Sequence, residues 1–348
     1  MGWRKAFFPI LLGLILVGFI FGRGFEARRA TLGANFSKEL ESLLVRQDAE
    51  RKIEVVELKP SLKLESSEAM PLFGPLELEV GSAGELFVFD SGDLKIKVFS
   101  ADGRPLRTLG RGKGQGPGEF LSATDFTIDS AGTLWVVDLH NGRLSGFRAD
   151  GTETTIKLAV QPYRLAFQPD GSFFAMFGLI HDRLFGRFDA AGAEQQRFGQ
   201  WLEDQGLNSM LLDGFIDSTG SGFVYVGRYS GLLANFGANG QPIFVTETVD
   251  GAGLPRILQG DGGRHWVDRE AGETARALMV CQGEAVVFTS IESGLVRQGV
   301  LDRYDLEGGR YLGTWRTNTP AMTVQCTDNA FYTIGERSIE RWSLPPKS

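Results

Sequence analysis

The sequence predicts an all-β fold, a six-bladed β-propeller, and three observations support it. Apolar runs of about 4–7 residues alternate with turns rich in Gly, Asp and Asn, which is typical of antiparallel strands joined by tight turns. One complete unit of this kind, residues 109–151, recurs along the chain. Within these repeats the apolar residues do not follow the period of an amphipathic helix.

The first turn of each copy marks the repeat. Regular copies span residues 80–103, 109–151, 167–192 and 216–240, and two less regular copies follow. The marker residues are Gly84, Gly132, Gly171, Gly220, Gly283 and Asn329. They are separated by 48, 39, 49, 63 and 46 residues. Intervals in this range, with four strands in each copy, predict radial repetition of the propeller type.

The sixth copy needs one more strand to complete its blade. Residues 52–59 (KIEVVELK) precede the first copy and have the composition of a strand. We expect this N-terminal strand to complete the last blade and close the ring, because closure removes most exposed sheet edges. Residues 59–75, rich in Pro, Ser and Glu, are then expected to be a linker.

The repeated motif resembles that of a known family. A Gly-containing turn, an apolar strand ending in Asp90 or Asp138, a second turn, and a strand ending in Phe before Asp-Gly are similar to the NHL repeat. The segment GRGKGQGPGEF, residues 110–120, resembles the connection found in bacterial six-bladed NHL-like propellers. The resemblance covers most of residues 53–345 and implies the fold. It implies little about activity, because one fold hosts many functions.

Residues 1–25 have the features of a signal anchor or a signal peptide. Arg4 and Lys5 precede an apolar run, residues 6–21, which is longer than many signal-peptide cores and shorter than most spanning helices. No small-x-small cleavage pattern follows closely, which favours an uncleaved anchor. We therefore expect a bacterial inner-membrane protein with a periplasmic propeller. Cleavage of this segment would instead make the protein periplasmic or secreted.

A helical linker is expected between this segment and the propeller, which is assigned to residues 52–348. Within residues 26–51, the positions Phe36, Leu40, Leu43, Leu44 and Gln47 share one face of a helix. Asn35 or Ser37 would cap its first turn. The helix would form either a stalk or a rim contact.

The net charge of −7 disfavours a nucleic-acid partner, because such binders usually carry a basic face. The chain has two cysteines, Cys281 and Cys326, each at the end of an expected inner strand in adjacent blades. In an oxidising compartment they would form a disulfide between blades five and six. The other interpretation is a pair of buried thiols too far apart to bond.

Three histidines are candidate metal ligands. His140 and His181 lie in equivalent turns of consecutive repeats, and His265 lies in an insertion, residues 249–276, that breaks the repeat period. The NHL-like lyases use His ligands around the channel, so the resemblance implies a zinc site as one interpretation. The other interpretation is that the histidines lie in ordinary surface turns. In the leading interpretation no metal or cofactor is expected.

Residues expected to contact a ligand lie in three places. The glycine-rich connection carries cations suited to an anionic group at the channel mouth. The third inner strand begins with a Tyr-Arg pair, and the insertion is long enough to be functional. The candidates are Arg111, Lys113, Tyr163, Arg164, Arg256, Arg264, His265 and Trp266.

The leading expectation is a non-catalytic binding or scaffold propeller. One face of its ring would bind a protein, peptide or glycan of the cell envelope. The alternative is a metal-dependent hydrolase or lyase resembling lactonase-like or NHL-like lyase propellers, with zinc or calcium at the channel. Its ligands would come from the three histidines or from Asp125 or Asp213.

Overall fold

The fold consists of six β-sheets arranged as propeller blades, together with a small separate sheet. The computed structural model describes residues 30–32, 35–47, 49–55, 60–148, 150–178, 181–203, 208–251, 253–260, 265–268, 273–293, 296–316, 321–327 and 329–344. The six-bladed, all-β prediction is confirmed. Its hydrophobic N-terminal helix lies outside the described residues.

The first three blades are four-stranded antiparallel sheets in chain order. Blade 1 contains Pro75–Val80, Leu86–Asp90, Lys95–Phe99 and Pro105–Leu109. Blade 2 contains Ala123–Ile128, Leu134–Asp138, Arg143–Phe147 and Glu153–Ile156. Blade 3 contains Arg164–Phe167, Phe173–Met176, Phe185–Phe188 and Glu194–Phe198. Between blades 1 and 2, the two-residue strands Gly112–Lys113 and Glu119–Phe120 pair in parallel.

The last three blades each include a strand from the N-terminal part of the chain. Blade 4 contains Gly214–Ser218, Gly222–Gly227, Leu232–Gly237, Pro242–Glu247 and Leu44–Val45. Blade 5 contains Ala277–Cys281, Glu284–Ser293, Val296–Asp305, Tyr311–Arg316 and Ile53–Val55. Blade 6 contains Thr323–Cys326, Ala330–Ile334, Ser338–Ser343 and Pro60–Glu65. A short helix, Asn208–Leu211, precedes blade 4.

The inner strands of the blades form a closed ring. Each contacts the inner strand of the next blade, and Thr323–Cys326 of blade 6 contacts Pro75–Val80 of blade 1. Apolar side chains fill the space between neighbouring blades, as where the rings of Phe223 and Phe236 in blade 4 and Phe185 in blade 3 pack together. Burial of aromatic surface between the sheets is therefore a main source of stability.

The marker glycines identified in the sequence adopt a backbone that other residues rarely tolerate. The φ angles are +80° at Gly84, +77° at Gly132 and +82° at Gly171. A residue with a Cβ atom is strained in this left-handed region. The turn between the first and second strands of these blades thus explains the glycine repeat.

An N-terminal strand does complete the sixth blade, but the segment predicted for that role was wrong. Pro60–Glu65, within the expected linker, pairs antiparallel with Ser338–Ser343. Part of residues 52–59 instead forms Ile53–Val55, a fifth strand parallel to residues 314–316 of blade 5. Both segments have strand-like composition, so local sequence could not choose between them.

Residues 35–47 and 49–55, here called the strap, contribute edge strands to blades 4 and 5. The predicted long helix shrinks to Lys38–Leu43, with Ser37 as its N-cap and Leu40 buried. Phe36 forms an isolated bridge with Leu202, after blade 3. Of the two arrangements expected for the helix, the structure has the rim contact.

Polar side chains fasten the strap to the blades. The Gln47 amide donates to the Gly309 carbonyl at 2.5 Å and accepts from the Tyr311 N–H at 3.1 Å. The Arg51 guanidinium donates to both carboxylate oxygens of Asp302 at 3.1 and 2.7 Å. It also contacts Asp250 at 2.7 Å. Because the Asp302 side chain is only 2% exposed, its charge depends on Arg51.

The structure pairs Cys281 with Cys326 as a disulfide, with the two Cα atoms 6.1 Å apart. The bond joins the inner strands of blades 5 and 6. It therefore ties together the two blades next to the point of ring closure.

A second unit is a three-stranded antiparallel sheet of Ala30–Leu32, Ile257–Gln259 and His265–Val267. No helix among the described residues is long and apolar enough to span a membrane. The apolar run at residues 6–21 lies outside those residues.

Replacing Arg51 with alanine should lower the free energy of unfolding by about 3 kcal/mol, because Asp302 would keep a buried, unpaired charge. Urea denaturation followed by tryptophan fluorescence measures the change. The control is Arg104→Ala, which removes an exposed ion pair with Asp102 and should have little effect. Equal losses in the two variants would show that the Arg51–Asp302 ion pair contributes no more stability than an exposed ion pair.

Candidate functional site

The candidate site is the end of the channel at which the inner strands begin. A cavity of about 450 Å³ opens there. We call it the mouth. It is lined by Leu76, Glu77, Ser122, Ala123, Thr124, Tyr163, Arg164, Phe215, Arg228, Glu273, Arg276, Met322 and Thr323. Its volume is within the range of small-molecule and peptide-side-chain pockets.

Two buried aspartates position the connections that enter the mouth. Asp138 accepts hydrogen bonds from the backbone N–H groups of Leu121 and Ser122 at 3.1 and 3.0 Å. Asp90 does the same for Phe73 and Gly74 at 2.9 and 2.8 Å. Each carboxylate thus fixes the chain just before an inner strand. Their repetition in the sequence has this structural cause.

Arg164 lines the mouth, and two of its guanidinium nitrogens are engaged by the protein. Its Nε donates to the Gly214 carbonyl at 2.8 Å, and its Nη1 donates to Asp125 at 3.4 Å. Its guanidinium lies 4.4 Å from the ring centre of Phe215 and 5.4 Å from that of Tyr163. Arg164 therefore holds blades 2, 3 and 4 together at the channel.

Arg228 lies over the same phenylalanine, and its guanidinium makes no hydrogen bond to the described chain. Its Cζ lies 4.9 Å from the Phe215 ring centre. The nearest ion pair joins its Nε to Asp213 Oδ2 at 3.6 Å, which is too long for a hydrogen bond. Its Nε is buried without a hydrogen-bond partner in the part of the chain that the structure describes. The backbone is nevertheless fixed, because the Arg228 carbonyl accepts from the Thr274 N–H at 2.7 Å.

A third arginine and two apolar side chains complete the mouth. Arg276 lies 3.7 Å from Glu273 and donates to Ser290 at 3.3 Å. Leu76 of blade 1 and Met322 beside blade 6 are 40% and 48% exposed. The mouth therefore combines guanidinium groups near blades 4 and 5 with apolar surface near blades 6 and 1.

Deeper in the channel, carboxylates connect neighbouring inner strands. Asp125 accepts from the Leu165 N–H at 2.8 Å, and Asp217 accepts from the Val280 N–H at 2.7 Å. No backbone ladder joins the inner strands of different blades among the described residues. These N–H groups therefore need side-chain acceptors. Their first role is structural.

The same carboxylates have raised pKa values. Burial, reinforced by the Asp125 carboxylate, raises the pKa of Glu77 to about 8, although Arg164 opposes the shift. Burial also raises the pKa of Asp125 and of Asp217 to about 6. Burial raises the pKa of Glu79 well above its usual range. At neutral pH the channel thus carries less negative charge than its composition suggests.

The residues predicted for ligand binding do not all meet. Tyr163 and Arg164 line the mouth. Arg111 forms an ion pair with Glu153 at 3.1 Å, and Lys113 is exposed beside it in sequence; neither lines the mouth. Arg256, His265 and Trp266 belong to the separate unit, and Arg264 lies outside the described residues.

In the described part of the chain, the three histidines do not form a metal site. His140 is exposed in its turn, and the His181 ring packs 5.7 Å from that of Phe177. No cluster of three or more His, Cys, Asp or Glu side chains suitable for a metal ion occurs among the described residues.

Most of the residues that line the mouth were not identified from the sequence, among them Phe215, Arg228 and Arg276. Phe215 follows the first residue of the inner strand of blade 4, and Arg228 follows its second strand. Arg276 directly precedes the inner strand of blade 5. Their positions at the starts and ends of strands facing one end of the channel were the available signal.

Comparison with known proteins supports the fold and the predicted resemblance. Residues 52–185 match a family model described as a 6-bladed beta-propeller. The human (Homo sapiens) NHL repeat-containing protein 3 is 30% identical over 133 residues, which cover 36% of this chain and 38% of that protein. The chain thus matches well under half the length of this curated relative. Its similarity to NHL-repeat propellers is confirmed at this level.

Two solved structures extend the likeness to most of the chain. A putative exported protein from Bacteroides fragilis has a TM-score of 0.57 and 11% identity, covering 88% of this chain and 99% of that one. Virginiamycin B lyase from Staphylococcus aureus has a TM-score of 0.49 and 13% identity, covering 83% and 100%. The first of these likenesses, at 11% identity, indicates a shared fold alone and carries no information about shared chemistry.

Replacing Glu77 with glutamine should change how stability depends on pH. The pKa of Glu77 is about 8 in the fold against 4.5 for an unperturbed glutamate, so the folded state binds the extra proton. Its stabilising contribution is present below about pH 4.5 and is lost as pH rises through about 8. The wild type should lose free energy of unfolding between about pH 5 and 9, and Glu77→Gln should lose less. Urea denaturation at several pH values measures both slopes. Parallel slopes would contradict the raised pKa.

Proposed function

We propose that the chain is a non-catalytic binding propeller whose mouth holds part of a protein or peptide partner in the cell envelope. The observation that carries this proposal is the Arg228 guanidinium, fixed against Phe215 beside a cavity of about 450 Å³ and not hydrogen-bonded to the described chain. A prepared cation of this kind is suited to an anionic group of a ligand. The exposed Leu76 and Met322 favour a peptide over a glycan, because they offer apolar rather than polar contacts.

The cellular location belongs to the same proposal. An apolar segment at residues 6–21 would attach the chain to the bacterial inner membrane, with the propeller in the periplasm. A disulfide between Cys281 and Cys326 supports this location, since such bonds persist mainly in oxidising compartments. Cleavage of the segment would release the propeller into the periplasm or the medium.

Photocrosslinking in the native cells tests the binding proposal. A benzoylphenylalanine at Met322, in the mouth, should crosslink a discrete partner because the residue is exposed beside the cavity. The matched control is the same group at Leu106, which is 46% exposed on the outer strand of blade 1. Adding Arg228→Gln should reduce the Met322 product. Identical products at both positions, or none at Met322, would reject the mouth as a binding site.

A metal-dependent hydrolase or lyase is the second candidate. The raised pKa values of Glu77, Asp125 and Asp217 in one channel favour it, because such shifts are common among catalytic acids and bases. Asp125 and Asp217, however, have a structural reason to be buried, because each accepts a backbone hydrogen bond from the next blade. Binding is therefore the preferred function.

Metal analysis separates the two candidates. The full chain, purified without chelator or affinity metal, should contain no stoichiometric zinc or calcium by plasma mass spectrometry. About one equivalent that survives dialysis would favour the enzyme. Activity on hydrolase and lyase substrates would then be measured next.

A further inference from the structure

We infer that the mouth recognises an extended peptide segment in which a single carboxylate stands next to an apolar side chain. This inference rests on the proposed function and adds the chemical class of the ligand. It follows from the unequal roles of the three arginines, from two loose ion pairs, and from the position of the apolar surface.

Only two of the three guanidinium groups have capacity for a ligand. Arg164 is 7% exposed and is engaged by the Gly214 carbonyl and by Asp125. Arg228 makes no side-chain hydrogen bond within the described chain, and Arg276 makes one, to Ser290. The ligand carboxylate is therefore assigned to Arg228 and Arg276, and Arg164 supports the wall behind them.

Two carboxylates of the chain form long ion pairs with these two arginines. Asp213 lies 3.6 Å from Arg228, and Glu273 lies 3.7 Å from Arg276. Both distances exceed a hydrogen bond and leave the guanidinium edges unsaturated. Burial also raises the pKa of Asp213, although Arg228 itself opposes the shift. An incoming carboxylate can make the close, charge-assisted contacts that these two groups do not make.

The apolar part of the ligand has a separate place. Leu76 and Met322 line the same cavity and keep 40% and 48% of their surface exposed. The inner strands contact one another in the order of the blades, so blade 1, which carries Leu76, is opposite blade 4, which carries Arg228. A ligand that spans the cavity thus meets a cation on one side and apolar surface on the other.

The surroundings limit the ligand to one carboxylate. Asp125, whose side chain is 13% exposed, and Glu77 lie 3.4 and 3.8 Å from Arg164 Nη1. Glu77 is largely protonated at neutral pH, and Asp125 already engages Arg164, so a second ligand carboxylate would meet no free cation there. A strongly anionic polymer is disfavoured for the same reason, and the net charge of −7 adds to the effect.

Fluorescence anisotropy with designed peptides tests the inference on the full chain. The probe is a labelled peptide, blocked at both ends, with one glutamate flanked by leucines in a Gly-Ser background. It should bind about tenfold more tightly than the same peptide with glutamine. Replacing the leucines with serines should weaken binding to a similar extent, and salt should weaken the glutamate peptide more than the glutamine peptide.

Two substitutions locate the contact. Arg228→Gln should weaken the glutamate peptide about tenfold and leave the glutamine peptide unchanged. The matched control is Arg310→Gln, because Arg310 Nε lies 3.6 Å from Asp305 Oδ2, the same spacing as in the Arg228–Asp213 pair, but on an exposed turn. Arg310→Gln should have no effect on either peptide.

A gain of affinity separates recognition from damage to the fold. Glu273→Gln removes the carboxylate that competes for Arg276, so the glutamate peptide should bind about threefold more tightly. A misfolded protein would not show this gain. Equal binding of the glutamate and glutamine peptides, or equal losses in Arg228→Gln and Arg310→Gln, would overturn the inference.

The source of the carboxylate is decided with a third peptide. A peptide with two apolar residues and a free C-terminal carboxylate, but no glutamate, should bind more weakly than the blocked glutamate peptide. Tighter binding would overturn the assignment to an internal segment. If every peptide fails while Met322 still crosslinks a partner, this inference is wrong and the proposed function stands; loss of the crosslink as well rejects both.

Discussion

The propeller depends on how neighbouring inner strands are joined around the channel. The blades radiate outward, so their inner strands touch without sharing a backbone ladder in the described chain. Side chains supply the missing bonds: Asp125 accepts from the Leu165 N–H, and Asp217 accepts from the Val280 N–H. Buried donors without partners would cost free energy, so carboxylates and amides are required where an apolar core would otherwise be expected.

This requirement also produces the electrostatics of the site. Carboxylates that must lie inside the ring are desolvated, and their pKa values rise unless a cation offsets the burial. Arg164 provides the offset near Asp125 and Glu77, and in doing so it uses its own donors. Arg228 and Arg276 do not pair with Asp125 or Glu77 in the channel. The mouth therefore retains cations that are positioned but not saturated.

The N-terminal part of the chain adds strands to the last three blades of the ring. Blades 1 and 2 use Asp90 and Asp138 to hold their entering connections. Blades 4 and 5 each gain a fifth strand from the strap, and blade 6 takes its fourth from Pro60–Glu65. Arg51 adds a nearly buried ion pair with Asp302. The closure of the ring is thus distributed over three blades and is further tied by the Cys281–Cys326 bond.

The sequence by itself determined the number of blades, the turns and the presence of an N-terminal closing strand, because these follow from local chemistry. A glycine at positive φ or a short apolar run acts over a few residues, and its signal repeats. The identity of the closing strand, the short helix and the meeting of Phe215, Arg228 and Arg276 were decided by the tertiary structure. The closing strand and the short helix depend on contacts between distant parts of the chain, and Arg164 of blade 3 reaches Phe215 beside Arg228 only when blades 3 and 4 pack together.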